Sequence, residues 1–240
     1  MSGSTCSIPV RDRLSGDRVQ QLLHWLHGVS NRADMGQPIW QDDADYWSFD
    51  IAHTEPLGFT GKIEMARPFS LSLVQNRTEH SISWSDGFTD WQGRYIDAYV
   101  LKQDLEHERR QWLAHLGYFP AQRLSLEAHS NRNIDHQLLA YLALRLAERY
   151  EGLVDMDGAL TPPRARPPLR KSSLEEIRVW LGSDTPPSLK DVHGYVQQLP
   201  GHVHEFTYTC FPDNRMWVRH VLDLTAFHGW IQHRDFHMVK

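Results

Sequence analysis

The chain has 240 residues, 40% of them hydrophobic and 23% charged, with nine Trp and nine Phe. That composition is a globular protein's with a substantial core and excludes a low-complexity chain. The net charge of −5 and pI near 6.3 argue against a general nucleic-acid binder, which carries a basic face.

Residues 1–15 are polar and small and are expected to form a disordered tail. Met1 to Arg13 has no signal-peptide core, and no apolar stretch reaches the ~18–20 residues that span a bilayer. Two cysteines, Cys6 and Cys210, are fewer than a disulfide framework normally uses. Both are expected as reduced thiols in a cytoplasmic protein.

Val19, Leu22, Leu23 and Leu26 recur at helical spacing and predict an amphipathic helix over Gly16 to Val29. Residues 30–45 read as a loop. Tyr46 to Ile51 alternates as a strand, and further strands are expected over Phe69 to Gln75 and Ser81 to Ser85, as an antiparallel meander. Ala98 to Gly117 reads as a helix and Arg123 to Ala128 as a strand.

Asn133 to Leu160 holds the longest apolar run: from Leu138 to Ala147 only Arg145 is charged. A helix apolar almost all round belongs in a core, so the central helix is placed at about 134–150. Asn133 is the expected N-cap, with Asp135 in the first turn. Gly152 ends the helix, and Leu153 to Met156 is a short strand stopped by Asp157-Gly158.

The TPPRARPPLR run predicts a linker over 161–172. Ser173 to Leu181 and Leu189 to Leu199 read as short helices. His202 to Phe211 and Arg215 to Leu222 read as a hairpin, and Ala226 to His233 as a final helix capped by Asp223 or Thr225. The pattern is α+β: a mixed or antiparallel sheet with packed helices, one domain over 16–160, and residues 173–240 packed on the same domain.

The familiar loops and catalytic signatures are absent: no HExxH, GxSxG, GxGxxG or GxxxxGK[ST] occurs. No catalytic residue, metal or cofactor is assigned. His202 and His204 share a strand face and could ligate a metal, which gives an alternative reading as a metal-dependent enzyme. The proline-rich run gives another, as a scaffold module. Asp155 and Asp157 read as turn residues at a strand end. Two segments interleave acids with aromatics: Asp42, Asp43, Asp45 and Trp47 in one, Asp86 and Trp91 in the other. Aromatics anchor interfaces and acids steer toward a basic surface, so these six are the candidate partner-binding residues.

LAERYEGLVDMDGAL (Leu146 to Leu160) and the ending RDFHMVK (Arg234 to Lys240) resemble a bacterial domain family of unknown function. These motifs are structural, so the resemblance transfers no site residue. In general style such chains are similar to the immunity proteins that bacteria encode beside secreted toxins. That likeness implies a protein that neutralises a cognate toxin, such as a nuclease of type VI or contact-dependent delivery.

Overall fold

In a computed structural model, residues 4–35, 44–59, 69–77, 88–89, 95–96, 98–128, 132–150, 152–160, 189–210 and 215–238 are described. Among them the strands are β1 (Thr5–Val10), β2 (Ser30–Met35), β3 (Ala44–Ile51), β4 (Phe69–Arg77), β5 (Phe88–Thr89), β6 (Tyr95–Ile96), β7 (Gln122–Ala128), β8 (Leu153–Asp155), β9 (Val203–Cys210) and β10 (Arg215–Asp223). The α-helices are α1 (Gly16–Gly28), α2 (Ala98–Leu116), α3 (Asn133–Arg149), α4 (Leu189–Val196) and α5 (Leu224–Ile231).

Eight of these strands form one sheet in the order β2-β3-β4-β7-β1-β8-β10-β9, and every neighbouring pair is antiparallel. The short β5 and β6 pair separately. The fold is therefore α+β on an antiparallel sheet. Among the described residues no helix is long and apolar enough to cross a membrane.

β1 corrects the expectation of a disordered tail. Thr5–Val10 sits near the middle of the sheet, with Thr5 to Val10 pairing Glu127 to Gln122 of β7 and Ser7 opposite Asp155 of β8. Cys6 is free and fully buried. A proline is normally kept out of central strands because it has no N–H to give the ladder. Pro9 is accommodated because β8 pairs with β1 only at Ser7. Ser30–Met35 is likewise a strand rather than a loop, edging the sheet against β3. β4 runs two residues beyond its expected end at Gln75, through Asn76 and Arg77. The expected strand over Ser81 to Ser85, the linker over 161–172 and the helix over Ser173 to Leu181 lie outside the described residues.

Alternation along the strands gives the sheet two covered faces. On one face Cys6, Ile8 and Val10 of β1, Leu124 and Leu126 of β7, Val154 of β8 and Leu222 of β10 join the main core. α1 adds Leu22, Leu23 and Leu26, and α5 adds Ala226, Phe227 and Trp230. α3 supplies the largest share, eight buried apolar residues from Leu138 to Ala147. Its one mid-helix charge, Arg145, escapes burial by donating through Nε to Leu57 O (3.0 Å) and pairing with Glu148 (2.7 Å). On the other face a smaller core of Trp112, Leu153, Phe206 and Val221 forms under α2.

The cap of α3 lies one residue earlier than expected. Arg132 occupies the cap position and Asn133 is the first helical residue. Asp135 bonds the Arg132 backbone N–H through Oδ2 (2.7 Å) and its guanidinium (2.7 Å). A carboxylate in the first turn gives this helix start both a hydrogen-bond acceptor and a favourable charge. α5 starts as expected: Asp223 Oδ1 accepts from Ala226 N at 2.7 Å.

Candidate functional site

Beneath α2, three strands aim charged side chains at one place. Arg123 of β7, Asp155 of β8 and Arg219 of β10 occupy the sheet positions that alternate away from the main core. Glu108 descends from α2 to meet them. Its Oε1 accepts from Arg219 Nη2 at 2.7 Å, from Arg123 Nη2, and from Trp112 Nε1 at 3.2 Å. Asp155, with no exposed surface, places Oδ2 3.3 Å from Arg219 Nε and 3.8 Å from Arg123 Nη1. Charges alternate around the group, and each guanidinium also lies over a ring, Arg123 on Trp112 and Arg219 on Phe206. Burial alone would push the Glu108 carboxyl up; the two arginines overcome it and hold it at about 2.

A fifth charge, Asp157, lies beside this square. The β10 partner His220 takes Met156 N–H on its carbonyl (2.9 Å) and gives its own N–H to Gly158 O (3.1 Å). Asp157 is looped out between them at φ 54, a left-handed conformation that non-glycine residues seldom adopt. Solvent reaches the residue, yet its carboxylate turns back to the protein. Oδ1 accepts from Ser7 Oγ (3.1 Å), and its N–H bonds Asp155 Oδ1 (3.0 Å). Burial of this carboxyl and the charge of Asp155 push it up to about 7, against the opposing pull of Arg123, the Ser7 hydroxyl and Arg219. Asp155 and Asp157, expected as plain turn residues, are thus a buried strand residue and a bulge residue.

On the opposite face His220 is fully buried, and Leu160 N donates to its Nδ1 at 2.8 Å. Nδ1 is therefore unprotonated, and the proton of the neutral ring sits on Nε2, 3.5 Å from Glu205 Oε1. A ring nitrogen that carries a proton is no metal ligand. Burial holds His220 down at about 4 despite the nearby Glu205 charge. Glu205 in turn meets Nδ1 of the exposed His193 at 3.1 Å, tying α4 to β9.

A different surface is formed at the end of the sheet. In the β9–β10 hairpin, Trp217 stands opposite Tyr208 and Met216 opposite Thr209. Met216 is 62% exposed, Trp217 45% and Tyr208 39%, and Leu113 of α2 is 47% exposed. Tyr208 and Trp217 lie on the α2 side of the hairpin and Met216 on the other, so two aromatic rings share one exposed face.

The chain matches the model of DUF6368, a family of unknown function, over residues 2–240. The chain belongs to the DUF6368 family. No curated protein and no solved structure matches it.

In this DUF6368 protein the six expected partner-binding residues are only partly visible. Asp45 and Trp47 lie on β3, where they pair with Gln75 and Leu73 of β4. Asp42, Asp43, Asp86 and Trp91 lie outside the described residues. His202 and His204 have ring centroids 6.4 Å apart, with His115 of α2 5.6 Å from His204. Burial and the two neighbouring imidazoles hold His204 below the usual histidine range. Among the described residues no group of three His, Cys, Asp or Glu is placed to hold a metal ion.

The charge square went unseen in the sequence because Glu108, Arg123, Asp155 and Arg219 share no spacing; only strand order brings them together. The hairpin surface had a signal. Met216 and Trp217 sit beside the Pro212-Asp213-Asn214 turn signal, at the end of the hairpin where the sheet's two cores run out.

Proposed function

We propose that this protein is an immunity protein that binds a cognate secreted bacterial toxin and blocks it stoichiometrically, the first candidate being a nuclease of type VI or contact-dependent delivery. The observation that carries this reading is the exposed cross-strand pair of Tyr208 and Trp217 on one face of the hairpin, with exposed Met216 on the other. Tryptophan and tyrosine are the residues that most often dominate binding energy when a partner seals them from water. The net charge of −5 suits a basic target such as a nucleic-acid-cleaving enzyme. Asp42, Asp43, Asp45, Trp47, Asp86 and Trp91 are proposed as further partner-binding residues; Asp45 and Trp47, on β3, lie toward the other end of the sheet from this hairpin.

The test is co-expression with the product of the adjacent gene, followed by affinity purification. The reading predicts a stable complex and relief of that product's toxicity. Absence of both, with a neighbour that is toxic alone, removes the reading.

A further inference from the structure

We propose that Asp157 is a proton-controlled latch: protonated, it closes the bulge after β8 onto β1; ionised, it opens the bulge and releases residues 157 and 158. Two guanidiniums, Arg123 and Arg219, face three carboxylates: Glu108 from α2, Asp155 from β8 and Asp157. Glu108 and Asp155 are each in direct ion-pair range of both arginines. Asp157 is the surplus acid. Its hydrogen-bond donor is the neutral Ser7 hydroxyl, its own N–H is committed to the Asp155 carboxylate, and the Asp155 charge acts on it directly.

The remaining neighbours add no compensating charge. From β1 they are Ser7 and the buried Cys6 thiol, whose ionisation is opposed by burial and by Asp157 and Asp155. From β10, besides the Arg219 already counted, it is His220, held neutral by burial and by the Leu160 N–H on its Nδ1. The ionised latch therefore adds a third negative charge to Asp155 and Glu108 against two arginines, and Asp157 is the most exposed residue of this assembly. Like charges held this close favour keeping one proton between them.

Opening breaks specific contacts. The Ser7–Asp157 bond, the Asp157 N–H bond to Asp155 and the His220 N–H bond to Gly158 O all span the bulge. Their amides report it directly by hydrogen exchange. The latch does not depend on toxin binding and is tested on the free protein.

The sign follows from linkage. A carboxyl that binds its proton more tightly when closed than when open makes opening easier as pH rises from the ordinary aspartate range to the closed-state value. The protection factors of the Asp157 and His220 amides are expected to fall at least tenfold between pH 5 and 7 and to level off above. In Asp157→Asn, which suits the left-handed bulge, the same factors stay constant within about twofold. Carbon-13 titration of wild-type Asp157 gives a midpoint near neutrality. Equal pH dependence in wild type and variant, or a midpoint below 5, overturns the proposal.

Discussion

Glu108 is the residue on which the α2 face turns. One carboxylate accepts from two arginines and the Trp112 indole, so its removal leaves three buried or half-buried donors without that acceptor beneath a helix. Breaking a largely buried ion pair on one side costs about 3–5 kcal/mol; with Glu108 26% exposed, Glu108→Ala is expected to lose about 2–4 kcal/mol in urea unfolding. The pH dependence has a definite sign. Glu108 holds its proton more weakly folded, at about 2, than the ordinary 4.5. Its stabilising contribution is therefore complete above about 4.5 and is lost as pH falls from there to 2. The Asp157 effect has the opposite sign and lies between roughly 4 and 7, so Glu108→Ala and Asp157→Asn flatten different parts of the stability profile. Neither role was legible in the sequence. The LVDMDG pattern showed two acids at a strand end, but the arginines that give them meaning are 32 and 64 residues from Asp155.

Among the elements, α2 does more than cover a core. Gln111 presents its amide to the outer edge of β9: Nε2 donates to Thr207 O at 2.8 Å, and Thr207 N donates to Oε1 at 2.7 Å. A side chain thus occupies the place of a neighbouring strand. Exposed edges invite pairing with another chain, and such plugs prevent it. Gln111→Ala is expected to lose about 1–2 kcal/mol of stability and to self-associate at concentrations where wild type does not, as read by sedimentation velocity. An unchanged sedimentation profile would deny Gln111 the plugging role. Elements with strong periodicity were legible: α1, α2, α3 and the β9–β10 hairpin fall within a few residues of their expected places. β2 was not, because SNRADM has no apolar alternation and gains its place through the backbone ladder to β3.

At the scale of the whole molecule, the N-terminal strand holds the sheet together. β1 lies between β7 and β8, so removing residues 1–10 separates the β2-β3-β4-β7 half from the β8-β10-β9 half. It also takes Ile8 and Val10 from the main core and Ser7 from the latch. Such a truncation is expected to abolish cooperative unfolding and near-ultraviolet circular dichroism, whereas loss of a disordered tail would leave both intact. The polar start and Pro9 concealed this in the sequence, because a strand buried on both faces between two partners needs no amphipathic pattern to be retained.

The central claim, that this DUF6368 protein neutralises a toxin through the exposed hairpin end of its sheet, is tested most directly by calorimetric titration against the purified product of the adjacent gene. The account predicts a saturable 1:1 complex, weakened roughly 30-fold or about 2 kcal/mol by Trp217→Ala in a variant with unchanged thermal stability. A complex of undiminished affinity in Trp217→Ala would contradict the hairpin as the binding surface, and no heat of binding with wild type would contradict the claim as a whole.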